Sequence, residues 1–458
     1  MNRHERKYTL TPREVPRVET RNRRIVTPLP VPESVPFFER LERFEPSSMQ
    51  GQPPVVIDRA EGWHVHDKWG NMWLDWSSGV LISNLGNGNP LIVEALRGML
   101  DRPLLSTYVF AHEKREELVS LLAGVAPADG YKVFLLTTGS EATENCIKLA
   151  KTWGLQERGP GCRCIVSFQN AFHGRTMGAQ LAGGNPGQKK WMGRIDDSFI
   201  QVPFPDGYKN PDTRFELFLE TLARSGVTAG QVCGVISESF QGVGPDFFPV
   251  EYARSLAAWC RENGVLLIMD EVQAGFGRTG TWFAFEHYGI TPDLIACGKG
   301  ISSSLPLSAV IGRPDVMDLY PPGSMTSTHS GSPLPVAAAA ANIRELKKGG
   351  YLENARAMDP VLRAGLLALQ ARHPGQAGCV QSRGLVAGIQ IVLPGTRTPD
   401  GRTALAINEA CFHKGLLMFA PVGVAGECIK IAPPLDVSRE ALEEGISVLG
   451  EAMDEVLG

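Results

Sequence analysis

Val265-Leu266-Leu267-Ile268-Met269-Asp270-Glu271-Val272-Gln273 is a run of five apolar residues that ends abruptly in two acids and an amide. An apolar run without polar alternation marks a strand buried on both faces, as in a sheet covered by helices on either side. Acidic groups placed where such a strand ends lie at the carboxyl edge, where α/β sheets build their sites. Comparable runs occur at residues 133–136, 164–168, 232–237, 293–297 and 308–311, with helix-length amphipathic segments between them. Together they predict an α/β domain with a mainly parallel sheet and helical crossovers.

Outside this core the pattern changes. Residues 335–458 open with a long helical stretch to about residue 348, carry strand signals at 384–392 and 428–431, and close with another helix, which predicts a smaller α+β domain. Residues 63–76 read as a hairpin turning at Gly70-Asn71, a pair tolerant of positive φ. Pro28, Pro30, Pro32, Pro36, Pro46, Pro53 and Pro54 discourage regular structure over residues 25–54 and predict an extended arm. The expected division is an N-terminal arm over 1–50, the first part of the small domain over 51–80, a large domain over 81–334 and the rest of the small domain over 335–458.

With 458 residues, 43% of them hydrophobic, the chain can bury a substantial core without covalent staples. A net charge of −4 and a pI near 6.2 give no basic field for nucleic acid or an anionic membrane. Nine cysteines show no repeated spacing, and the close pair Cys162 and Cys164 has no matching second pair, so no metal site is predicted. Reduced thiols and a cytoplasmic location are the expectation. The first 24 residues hold eight Lys/Arg but also Glu5, Glu14 and Glu19, without an apolar segment. They read as a solvated or partner-wrapping arm rather than a signal or transit peptide. No apolar run approaches the length of a membrane span.

Four local motifs carry chemistry. Asp270 can pair with a protonated ring nitrogen, or merely cap the segment that follows it. Gly298-Lys299-Gly300 follows the next apolar run; a lysine there can form an imine, although taken alone the triplet fits a surface turn better. Thr137-Thr138-Gly139-Ser140-Glu141-Ala142-Thr143-Glu144 opens a helix whose first N–H groups and dipole suit a phosphate, or whose hydroxyls only cap it. Phe172-His173-Gly174-Arg175-Thr176 places an aromatic ring, an imidazole and a guanidinium on one turn. Phe172 can stack on a flat ring and Arg175 can grip a carboxylate, or they can be a core Phe and a salt-bridged Arg.

Gly139-Ser140, Phe172 to Thr176, Glu238, Asp270-Glu271-Val272-Gln273, Gly275-Phe276-Gly277-Arg278-Thr279-Gly280 and Gly298-Lys299-Gly300, in this order, resemble the class III aminotransferases. Residues 67–76, 84–90 and 328–333, Ser382-Arg383-Gly384 and Ala432-Pro433-Pro434-Leu435 extend the resemblance over about residues 50–450. It implies a fold-type I homodimer with a seven-stranded, mainly parallel sheet in a large domain that binds pyridoxal 5'-phosphate. It further implies that Lys299 forms the Schiff base, Asp270 faces the pyridinium nitrogen, Val272 packs under the ring and Gln273 lies near its hydroxyl. Gly139 and Ser140 would bind the phosphate, Phe172 would stack on the ring, and His173 and Glu238 would complete the cofactor site. Thr328 would reach the phosphate of the neighbouring subunit's cofactor.

The resemblance implies a ping-pong reaction in which an amine donor displaces Lys299, which then moves a proton between Cα and C4′. Two departures concern the substrate. Many relatives carry a glutamate where this chain has Val243, and an arginine where it has Lys430. Loss of both is coherent, since a buried arginine without its acid would be an unpaired charge. The histidine of the family's Gly-His-x-His-Pro segment is also absent from Gly86-Asn87-Gly88-Asn89-Pro90. Either Lys430 is a weaker point-charge substitute for that arginine or the site favours amines with no α-carboxylate; retained Arg175 points to an ω-amino acid or amine, 4-aminobutyrate-like, with 2-oxoglutarate or pyruvate as acceptor. A racemase or epimerase, a 2,2-dialkylglycine-type decarboxylase and a cofactor-binding protein without turnover are the alternatives.

Overall fold

The computed structural model describes residues 8–102 and 104–458. The stretch around Asp270 lies in a sheet of seven strands: β1 (Lys132–Leu136), β2 (Cys164–Phe168), β3 (Phe199–Val202), β4 (Val232–Glu238), β5 (Leu266–Asp270), β6 (Leu294–Cys297) and β7 (Ser308–Gly312). Their order across the sheet is β1-β7-β6-β5-β4-β2-β3. The pairs from β6 through β3 are parallel, whereas β7 runs antiparallel to both β6 and β1. The reason is the length of the connection. Residues 298–307 between β6 and β7 are fewer than the dozen or more a parallel crossover needs. That short reversal is the segment that carries Lys299. Strand β3 escaped the sequence reading because Phe199-Ile200-Gln201-Val202 lies on the sheet's edge and is only partly buried.

Helix α1 (Gly139–Arg158) crosses the sheet with Ala142, Cys146, Leu149 and Ala150 turned into the core, positions spaced by one and two helical turns. They meet Leu136, Ile165, Ile268, Leu294 and Val310 from the strands. Gly154 lets helix and sheet approach closely: a Cβ there would lie 2.8 Å from the Cys162 carbonyl oxygen. Helix α2 (Pro333–Lys348) buries a row of small residues, Ala337 to Ala341, and packs against helices Pro90–Leu100 and Glu113–Ala123. This packing puts α2 with the large unit.

Two compact units result, one from Pro90–Leu352 and one from the described part of Met1–Asn89 with Glu353–Gly458. The boundary therefore follows α2 rather than preceding it. In the second of these units, His64–His66 and Met72–Asp75 form the expected hairpin. Its turn is held by Asp67 Oδ1, which accepts the N–H groups of Trp69 and Asn71, each at 2.9 Å. Leu416–Leu417 adds to Met72–Asp75 in parallel, and Ala377–Arg383, Val386–Ile391 and Cys428–Ile431 form a separate antiparallel sheet.

The N-terminal segment corrects the sequence reading. An α-helix, Val35–Phe44, stands where an arm without regular structure was expected. Pro36 falls in its first turn, where a missing N–H costs nothing because no intrahelical acceptor exists. The arm's charge is also used internally: Arg13 pairs with Glu409 at 2.9 Å and Arg23 with Glu444 at 2.7 Å. Arg3, Arg6 and Lys7 lie outside the described residues. None of the nine cysteines forms a disulfide among the described residues. Among the described residues there is no cluster of metal-ligating side chains, and no helix is long and apolar enough to cross a membrane.

Candidate active site

Strand ends β4, β5 and β6 and the turns after β1 and β2 meet around one cavity in the large unit. Gly139, Ser140, Phe172, His173, Glu238, Asp270, Val272, Gln273 and Lys299 line it together with Thr138 and Gly174. Asp270 is the last residue of β5 and is almost fully buried. Its Oδ1 accepts the Val272 N–H at 3.0 Å, and its Oδ2 lies 2.8 Å from His173 Nδ1. An ionised Asp270 places the imidazole proton on Nδ1 and leaves Nε2 as a bare acceptor. His173 Nε2 is buried, with no partner among the described protein atoms.

Glu238 ends β4 directly beside Asp270 in the parallel register. Its two oxygens accept the Phe172 N–H at 3.0 Å and the Gly242 N–H at 2.8 Å, so one carboxyl group clamps the turn that presents the aromatic ring. Burial pushes it up to about 7. Lys299 follows β6, and burial lowers its pKa against the opposing pull of Asp270 and Glu238. The arrangement favours a fraction of neutral amine, the form that adds to a carbonyl.

The anion end is built by α1. Thr138 and Glu141 form a reciprocal cap, with Glu141 accepting the N–H groups of Thr137 and Thr138 at 2.9 Å each. The next residues, Gly139 and Ser140, bring the helix N-terminus to the cavity, where aligned peptide dipoles favour a phosphate dianion. Gly139 has to be glycine, since a Cβ would lie 2.8 Å from Val272 Cγ1. Gly174 has to be as well: its φ is +133°, and a Cβ would overlap the Ser140 hydroxyl. Reading the sequence had treated Gly174 only as a turn former.

Three predicted site residues do not line this cavity. Arg175 is exposed, with its guanidinium 5.4 Å from the centre of the Phe172 ring, and Thr328 is exposed on the loop before α2. Lys430 is buried on Cys428–Ile431, in the other unit.

Glu271, adjacent to Asp270, points to the opposite side as strand geometry requires. It accepts the N–H groups of Ala284 at 2.9 Å and Phe285 at 3.2 Å and the Ser239 hydroxyl. Burial pushes its carboxyl from 4.5 up to about 7. Between these values the folded chain keeps a proton on Glu271 that the unfolded chain releases, so the contribution of Glu271 to stability is greatest below about 4.5 and declines as pH rises to about 7. The decline amounts to about 3 kcal/mol at the tenfold-per-1.36 kcal/mol conversion. Urea unfolding of Glu271→Gln between pH 5 and 8 is expected to show a shallower decline than the wild type. Equal slopes would remove Glu271 as the source.

An α/β sheet whose strand ends bring a buried lysine, a carboxylate–imidazole pair and a helix N-terminus into one cavity defines a protein built for imine chemistry on an anionic ligand. Residues 47–453 match the family described as Aminotransferase class-III, and the chain belongs to that family. It is 32% identical over 445 residues to the 4-aminobutyrate aminotransferase of Mycobacterium leprae (strain TN), covering 94% of this chain and 98% of that protein. Similarity to the 5-aminovalerate aminotransferase DavT of Pseudomonas putida is 31% over 411 residues, 88% of this chain and 94% of that one. A Bacillus anthracis aminotransferase of known structure superposes with a TM-score of 0.84 at 26% identity, over 93% of this chain and 99% of that one.

Proposed function

We propose that this aminotransferase uses pyridoxal 5'-phosphate to move an amino group from an ω-amino acid such as 4-aminobutyrate to 2-oxoglutarate or pyruvate. The observation that carries the reading is the Lys299 amine sharing one cavity with the His173–Asp270 pair and the N-terminus of α1. The residues fit the cofactor by chemistry. Gly139 and Gly174 leave open the space that a Cβ would fill beside Val272 and Ser140, and Phe172 and Val272 supply apolar faces. Bound there, pyridoxal phosphate supplies an aldehyde that condenses with amines and a ring that withdraws electrons from the adjoining carbon.

In this reading Asp270 would hold a proton on the ring nitrogen, and His173 keeps the carboxylate oriented. Glu238 fixes the Phe172 turn, and Gln273 would offer a hydrogen bond to the ring hydroxyl. Lys299 would be the base that carries the proton between the substrate Cα and the cofactor C4′. Arg175, exposed on the turn that presents Phe172, is the residue we assign to the distal carboxylate. The enzyme acts in the cytoplasm as a homodimer, in which Thr328 serves the neighbouring copy's cofactor.

The 4-aminobutyrate and 5-aminovalerate in the names of the relatives support the ω-amino acid. Membership of an aminotransferase family favours amino transfer over racemisation on the same scaffold. The measurement is the half-reaction, followed by the visible absorbance of the lysine-bound cofactor. Mixing with 4-aminobutyrate or 5-aminovalerate is expected to bleach that band at least about tenfold faster than mixing with alanine, a difference of about 1.4 kcal/mol in transition-state binding. Reaction with α-amino acids alone would overturn the substrate assignment.

A further inference from the structure

Lys299 occupies an unfavourable backbone conformation. Its φ is +43°, in the left-handed region that residues with side chains avoid, and such a conformation persists only where its surroundings hold it. The turn itself offers little. Ile301 N–H reaches the Gly298 carbonyl at 3.0 Å, and Ser302 N–H reaches the Lys299 carbonyl only at 3.4 Å. Past Ile301 the Ser302 hydroxyl donates to the Leu305 carbonyl, and further restraint comes from α2. Asn342 donates through Nδ2 to the carbonyls of Gly300 and Ile301, both at 2.9 Å.

Asn342 is fully buried amid the apolar row of α2, and its Oδ1 has no partner among the described residues. Asparagine is a poor helix former, and a buried acceptor without a donor is destabilising. Packing alone would be served by another alanine. We propose that Asn342 is a positioning residue for Lys299, holding the strained turn so that the amine returns to one place each time it is released. The inference rests on the assignment of Lys299 as the imine-forming lysine.

A lysine on a flexible four-carbon stem is placed by its backbone anchor, so the effect belongs to proton transfer more than to binding. A displacement of about 1 Å costs about 10²-fold in rate. Asn342→Ala, which suits the surrounding helix, and Asn342→Asp, which keeps the shape without the donors, are expected to lower kcat by about 10–100-fold with KM little changed. Two readouts use the cofactor-free chain. Amide exchange over residues 299–302 is expected to quicken by about tenfold or more. The pH midpoint for reductive methylation of Lys299 is expected to move upward as the loosened turn admits water.

Leu346→Ala, which removes buried volume from the same helix, controls for general destabilisation and is expected to move neither readout. Asn342→Ser, with one donor left, serves if the other variants do not fold and is expected to lie between them and the wild type. Wild-type exchange and labelling in the Asn342 variants, or changes no larger than those of Leu346→Ala, would overturn the proposal. Failure of wild-type Lys299 to be trapped with pyridoxal phosphate by borohydride would instead overturn the cofactor assignment, leaving the exchange result to judge Asn342.

Discussion

Lys299→Ala is expected to lower amino transfer by about 10⁴-fold or more and to abolish the visible absorbance of the lysine-bound cofactor. Lys299 is the only amine among the residues lining the cavity, so no neighbour can take over either the imine or the proton. Burial lowers its pKa, which favours the neutral amine, and alanine removes the base without adding bulk. The space left by the side chain admits a small primary amine. Added ethylamine is therefore expected to restore part of the proton-transfer rate in a single-turnover measurement, in proportion to its free-base concentration. Activity within tenfold of the wild type would remove Lys299 from the reaction.

Asp270→Asn is expected to lower kcat by about 10²–10⁴-fold, since removing one partner of a buried charge pair costs about 3–5 kcal/mol. The substitution keeps the side chain's shape and leaves an oxygen for the Val272 N–H. What it removes is the acceptor that fixes His173 Nδ1 and, in the proposed function, the negative charge that would hold a proton on the ring nitrogen. The two roles separate by experiment. Because Asp270 raises the Lys299 pKa, its loss is expected to move the methylation midpoint of Lys299 in the cofactor-free chain to lower pH. Full activity in Asp270→Asn would show that the ring nitrogen needs no carboxylate. An unmoved midpoint would show that Asp270 and Lys299 do not share one electrostatic site.

Local sequence was informative where chemistry is local. Five unbroken apolar residues before Asp270 required a strand buried on both faces, and the hydroxyls of Thr138 and Ser140 marked a helix start whose reciprocal cap with Glu141 the structure supplied. Lys299 alone looked like a turn residue, and it became meaningful only beside the other motifs. The proline-rich stretch misled because proline in the first turn of a helix is harmless, and the composition of residues 25–54 does not reveal that Pro36 falls there. Strand β3 was missed because an edge strand need not be apolar throughout.

Partners separated along the chain were not legible. His173 meets Asp270 across 97 positions, Glu238 reaches back 66 positions to the Phe172 N–H, and Asn342 holds the Lys299 turn from a helix 41 and 42 positions away. That Asp270 faces the cavity followed from the family resemblance and not from the strand itself, and that Glu271 turns to the Ser239 hydroxyl is an outcome of strand phase. By itself the sequence determined the strands' burial, the order of the motifs and the residue types available for imine chemistry, because periodicity and backbone preference act over a few residues. Tertiary structure alone decided which carboxylate orients which imidazole, which glycines must lack a Cβ and what restrains Lys299. Those contacts depend on sheet register and helix packing, which only the folded chain brings together.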